Sequence, residues 1–212
     1  MKPYKYSLAE DIANSVTHGV GAALSIAGMT LLVVLATLKG DPWRIVSLSI
    51  YGSTLVALYL TSTLYHGIQS PRAKEIFRRL DHVAIFLLIA GTYTPFTLVT
   101  IRGGVGWFLF ATVWTLAVVG VLLKAFFMGR FEKTSVALYL AMGWVALLTI
   151  KPAMAAFPMW GMVGVLIGGL FYSLGVVFYV WERLPFNHSI WHVFVLAGSA
   201  SHFFTILFVI GR

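Results

Sequence analysis

The sequence predicts an all-α integral membrane protein, a single domain of seven transmembrane helices, and three observations carry that prediction. First, 59% of the 212 residues are hydrophobic and only 10% are charged, against roughly 25% charged in an ordinary soluble domain. With a mean hydropathy of +0.90, a 23.4 kDa chain has too little interior to hide its apolar surface, so lipid must surround much of it. Second, seven apolar segments each approach the ~20 residues that cross a bilayer core. Third, each break between them carries a turn or stop signal. The same composition excludes disorder and collagen, and the lack of cysteine excludes disulfide scaffolds and thiolate zinc ribbons.

The first segment runs from Val16 to Leu38. Glu10 and Asp11 precede it, it exceeds the apolar core of a signal peptide, and no A-x-A site closes it, so it reads as a retained helix. Lys39-Gly40-Asp41-Pro42 ends it, and the second segment, Ile45 to Tyr65, stops at Gln69-Ser70-Pro71-Arg72. The third, Asp81 to Ile101, contains Pro95, expected to kink it and open room for a ligand. Arg102-Gly103-Gly104 leads into the fourth, Val105 to Leu123, and Gly129-Arg130 into the fifth, Thr134 to Ile150. Lys151-Pro152 precedes the sixth, Met159 to Trp181, where Gly164 and Gly168 have the small-xxx-small spacing of close helix packing. Leu184-Pro185-Phe186-Asn187 precedes the seventh, His188 to Ile210. A lipid-exposed backbone must satisfy its own hydrogen bonds, so these segments are helices; barrel strands would be shorter and would alternate.

The net charge of +8 is explained by topology. Ten cations fall on the side of the amino terminus: Lys2, Lys5, Arg72, Lys74, Arg78, Arg79, Lys124, Arg130, Lys133 and Arg183. Five fall opposite: Lys39, Arg44, Arg102, Lys151 and Arg212. The positive-inside rule therefore predicts a cytoplasmic amino terminus and an external carboxyl terminus, in a multi-pass protein of the cytoplasmic (inner) membrane with no nucleic-acid partner. Trp43, Trp107, Trp160, Trp181 and Trp191 sit near segment ends, as interfacial anchors do.

Ionisable residues are costly inside a membrane, so function is sought among the six histidines and the few carboxylates at span edges. Ser62 and His66 are four apart on the second segment, hence on one face at its cytoplasmic end. Asp81-His82 opens the third segment at that end, and His188 and His192, again four apart, open the seventh. His18 lies near the same boundary, behind Glu10. Two histidines at i and i+4 can chelate one metal, and a third from another helix completes a His₃ set with an open fourth position. Zinc suits imidazole ligands without thiolate, with iron or copper as alternatives. Asp81 is placed to take a proton from a metal-activated water, and Ser62 to orient a ligand or stabilise an oxyanion. Glu10 and His18 read as a pair supporting the ligands, Glu10 equally as a helix cap or part of an interfacial segment. His82 is expected to bond a neighbouring helix. His202, ten residues past His192 and about 15 Å deeper, reads as a core histidine or a cavity wall.

Taken together, Ser62-Thr-Leu-Tyr-His66, Arg79-Leu-Asp81-His82, the Gly-Thr-Tyr-Thr-Pro95-Phe stretch and His188-Ser-Ile-Trp-His192 resemble the hemolysin III family of bacterial membrane proteins. Glu10-Asp-Ile-Ala-Asn-Ser-Val-Thr-His18-Gly is similar to the start of that family. The resemblance spans essentially the whole chain. It implies kinship with the progestin and adiponectin receptors and, more distantly, the alkaline ceramidases. It further implies zinc on His66, His188 and His192, with Asp81 and Ser62 beside it, and a membrane lipid or fatty-acyl ligand. The implied activity is lipid amide or ester hydrolysis; the alternatives are a lipid-homeostasis receptor or regulator with structural zinc, and the cytolysis recorded in the family's name.

Overall fold

The structure, a computed structural model, describes residues 6–211. Lys2, Lys5 and Arg212, counted above for orientation, lie outside the described residues. Every element among the described residues is helical, and seven stretches are long and apolar enough to cross a membrane. The protein is a multi-pass membrane protein.

Local chemistry sets the ends. Helix α1 (Leu8–Lys39) starts where Ser7 and Glu10 form a capping box: the Glu10 amide donates to Ser7 Oγ at 3.3 Å, and the Ser7 amide donates to Glu10 Oε2 at 2.9 Å. This satisfies amides that the first helical turn leaves without partners. It stops at Gly40, whose φ of 69° suits a residue without Cβ. Helix α2 (Pro42–Gly67) is capped by Asp41, whose carboxylate accepts from the Trp43 amide, with Pro42 in the first turn.

Helix α3 (Pro71–Pro95) begins ten residues before the segment predicted from hydropathy. The stretch from Arg72 to Arg79, between the second and third hydropathy segments, is helical. After Pro95, which has no amide to donate, the helix widens into a π-helical turn, Phe96–Ile101, so the expected disturbance at Pro95 takes the form of changed winding.

Helix α4 (Gly103–Phe126) follows directly. The fifth crossing is composite: α5 (Glu132–Trp144), a 3₁₀ stretch (Val145–Thr149) and the short α6 (Ile150–Ala156), which carries Pro152. Helices α7 (Met159–Val180) and α8 (Asn187–Ile206, with a π-turn Leu207–Gly211) complete the bundle.

Two apolar cores hold the helices. The larger joins α1, α2, α3 and α8 around Leu32, Leu48, Tyr51, Tyr59 and Ile206; the smaller joins α3, α4 and α5 around Phe86, Val113 and Met142. Large apolar residues such as Leu24, Phe108 and Leu174 face outward, the reverse of a soluble protein, as a lipid solvent requires. Small residues let helices approach. A Cβ on Gly168 would collide with the His202 ring of α8 and one on Gly164 with Thr205, so the small-xxx-small stripe packs within the bundle.

Candidate metal centre

One end of the bundle gathers polar side chains from four helices. His66 ends α2, and His188 and His192 lie on successive turns of α8. All three are buried, and they offer ligand atoms within 4.8 Å of one another. This cluster could hold a metal ion.

The imidazoles are oriented by α1. His66 Nδ1 lies 3.0 Å from Asp11 Oδ1, and His192 Nδ1 donates to the Asn14 carbonyl at 3.3 Å. In both rings that leaves Nε2 for another task, and His66 Nε2 is buried with no hydrogen-bond partner among the described residues. A carboxylate or carbonyl behind one ring nitrogen and a buried lone pair on the other is the arrangement expected of a metal-binding histidine. The donor set therefore fits a metal.

Asn14 is a hub. Its Nδ2 lies 3.4 Å from His66 Nδ1, and its Oδ1 accepts from Ser189 Oγ at 2.5 Å. Asp11 also receives Lys74 Nζ of α3 at 2.9 Å, and that ammonium stands 5.8 Å from the Tyr65 ring. Asp11, Asn14, Lys74 and Ser189 were missed in the sequence reading. The available signal was the 11, 14, 18 spacing, which places two polar residues and a histidine on one face of α1.

Other predicted residues fall into place differently. His18 stacks on His192 with ring centroids 3.4 Å apart and planes 9° apart, and it meets Tyr59 edge-on at 4.9 Å. Glu10 does not support it: its carboxylate caps α1 and accepts from the Phe186 amide at 3.2 Å. Capping consumes a side chain that the sequence had offered to His18. Asp81 is buried beside Ser62. Arg78 and Arg79, close to Asp81 in sequence, pair with Glu75. Because α3 starts at Pro71, Asp81 stands nearly three turns inside the helix rather than at its opening. His82 Nδ1 donates to the Arg78 carbonyl of its own helix at 2.8 Å, where a neighbouring helix had been expected.

A cavity adjoins the cluster. Asp81, His82, His18, His188 and His192 line one end, and His202 lines its inner part. The walls between are largely apolar and aromatic, from Leu88 and Ile89 of α3, Tyr139 of α5, and Tyr172 and Val176 of α7. Along α8 the lining extends from His188 to His202, about 20 Å of helix. His202 Nε2 donates to the Val165 carbonyl of α7 at 3.0 Å, so this histidine joins two helices as well as facing the cavity. An apolar slot with a few polar groups at one end suits an amphiphile.

Fold and site define a class: helical multi-pass membrane proteins with a buried imidazole cluster at one end of the bundle. A profile of the family described as Haemolysin-III related matches residues 6–203, and the chain belongs to that family. It is 49% identical over 201 residues to Hemolysin-3 of Bacillus cereus, covering 95% of this chain and 92% of that protein. To the Hemolysin-3 homolog of Bacillus subtilis (strain 168) it is 45% identical over 203 residues, covering 96% and 95%. It is 30% identical over 216 residues to the human Monocyte to macrophage differentiation factor, covering 96% of this chain and 85% of that one. That human protein is a member of the progestin and adiponectin receptor family, so the kinship expected from the sequence fits. No solved structure matches.

Proposed function

We propose that the protein is a zinc-dependent hydrolase of the cytoplasmic membrane, acting on an amide or ester bond of a membrane lipid, with its histidine cluster on the cytoplasmic side. The observation that carries this reading is a buried three-histidine set of which His188 and His192, with Asp81, line one end of a largely apolar cavity. His66, His188 and His192 would hold the zinc, which would supply a Lewis acid and a water of lowered pKa. Asp81 accepts the proton lost by the attacking water and passes it to the leaving group. Ser62 donates a hydrogen bond at the reacting end, and the apolar walls hold the chain and exclude bulk water.

Metal content and turnover test separate parts of this reading. Detergent-purified wild-type protein is expected to carry about one zinc per chain, and His188→Ala/His192→Ala to carry none; equal zinc in both sinks the site. Asp81→Asn is expected to keep its zinc and lose at least 100-fold in fatty acid released from a panel of amide- and ester-linked lipids. No release by the zinc-loaded wild type sinks the hydrolase.

A second reading, a non-catalytic receptor or regulator of lipid homeostasis, is favoured by the network that ties α1, α2 and α8 through Asp11, Asn14 and Ser189. In that case zinc is a structural clip, and chelation unfolds the bundle. The name Hemolysin-3 borne by the two Bacillus relatives gives a third reading, cytolysis, tested by adding purified protein to erythrocytes.

A further inference from the structure

His66 is the sole cluster histidine supplied by α2, and its metal-binding competence depends on which ring nitrogen carries the proton. Nδ1 has two neighbours of opposite character. Asp11 Oδ1, at 3.0 Å, can only accept a hydrogen bond when ionised; Asn14 Nδ2, at 3.4 Å, can only donate. The Asn14 amide presents Nδ2 to His66 while its Oδ1 accepts from Ser189 Oγ at 2.5 Å.

We infer that Asp11 is a positioning residue that keeps the His66 proton on Nδ1, and that Lys74 allows it to do so as a buried carboxylate. This inference rests on the metal reading above and adds the residue that makes α2's ligand competent. With Asp11 ionised, the shorter, charge-assisted contact wins over Asn14, Nδ1 stays protonated and Nε2 keeps its lone pair. Without that carboxylate, Asn14 Nδ2 remains beside Nδ1. A donor there draws the lone pair to Nδ1 and moves the proton to Nε2, the nitrogen that a metal needs.

Asp11 and Lys74 are 2% and 7% exposed, and their 2.9 Å ion pair offsets part of the cost of burying each charge. Lys74 sits in the first turn of α3, the end of a helix that disfavours a cation, so its placement depends on an anion from outside α3. Asp11 supplies that anion from the first turn of α1, the end that favours one. Its surroundings separate it from the proposed chemistry. Asp81 lines the cavity beside His188 and His192, whereas Asp11 lines a separate depression beside His66 with Ser15, Gly67 and Gln69. Asp11 therefore acts on the ring and not on a substrate.

Two measurements on the full chain in detergent micelles test this. Nitrogen-15 NMR of metal-free wild-type protein with labelled histidine, the His66 signals assigned by loss in His66→Asn, is expected to show the proton on Nδ1; a proton on Nε2 overturns the inference without any Asp11 variant. Zinc and cobalt affinities, by competition with a chelating dye, are expected to fall 10- to 100-fold in Asp11→Ala, with the His66 proton moved to Nε2. An Asp11→Ala protein that folds and binds both ions within twofold of wild type overturns it. If that variant fails to fold, the wild-type spectrum decides. Wild-type protein that binds neither ion overturns the metal reading and this inference together; wild type that binds them while Asp11→Ala matches it overturns this inference alone.

Discussion

His18 shows how a single ring can serve the site without being a ligand. Its plane lies on that of His192 at 3.4 Å, while neither of its nitrogens has a hydrogen-bond partner among the described residues. The flat face holds His192 in register, and the residue also contributes to the lining of the cavity. These roles separate by substitution. His18→Phe keeps the stack and is expected to bind zinc within about threefold of wild type, whereas His18→Ala releases the His192 ring and is expected to lose about tenfold, of the order seen when groups supporting a metal ligand are removed. Equal affinities for the two variants in a chelator competition would remove the stacking role. The sequence made the three clustered histidines legible because i, i+4 spacing and equal depth along two separate helices are one-dimensional properties. Asp11 and Asn14 were harder to see. Near a helix start, polar residues read as interfacial, and nothing in their spacing says that α8 lies opposite.

The elements differ from the hydropathy reading where a helix continues beyond its apolar part. Helix α3 takes in Arg72, Lys74, Arg78 and Arg79 because Pro71 at the first helical position starts the helix, and because three of those cations are paired, Lys74 with Asp11 and both Arg78 and Arg79 with Glu75. Hydropathy measures lipid contact, and these turns lie beyond it. Helices α4 and α5 show the same device. Lys124, almost wholly buried in the last turns of α4, pairs at 2.7 Å with Glu132 in the first turn of α5, whose side chain is 43% exposed. Each charge sits at the helix end that favours it. The unequal burial predicts unequal losses. Glu132→Ala strands a buried ammonium and is expected to cost about 2 kcal/mol, while Lys124→Met leaves a half-exposed carboxylate that water can solvate and is expected to cost less than about 1 kcal/mol. Thermal unfolding in one detergent compares them, and equal or reversed shifts would show that the pair does not brace this joint.

At the scale of the whole molecule, the structure changes what the cation count means. Two of the ten cations on the amino-terminal side, Lys74 and Lys124, are buried in ion pairs, so part of the charge that the sequence assigned to topology is part of the architecture. The remaining eight still outnumber the five opposite, and the orientation rule counts charges near the span ends as the chain inserts, before those pairs form. The amino terminus is therefore still expected in the cytoplasm, which an odd number of crossings converts into an external carboxyl terminus. Fusions after residue 212 in a bacterial host read this directly: alkaline phosphatase, active only outside, is expected to be active, and a fluorescent protein that matures only inside is expected to be dark. The opposite pair of signals would place the histidine cluster on the external face. The result also bears on mechanism, because the cluster, the depression beside His66 and the Asp11–Lys74 pair all lie at the end where α1, α3 and α8 begin and α2 ends. With that end inside, the proposed hydrolase would draw its metal from the cytoplasmic pool and release a polar product there, while the cavity beyond Asp81 would take its acyl substrate from the membrane.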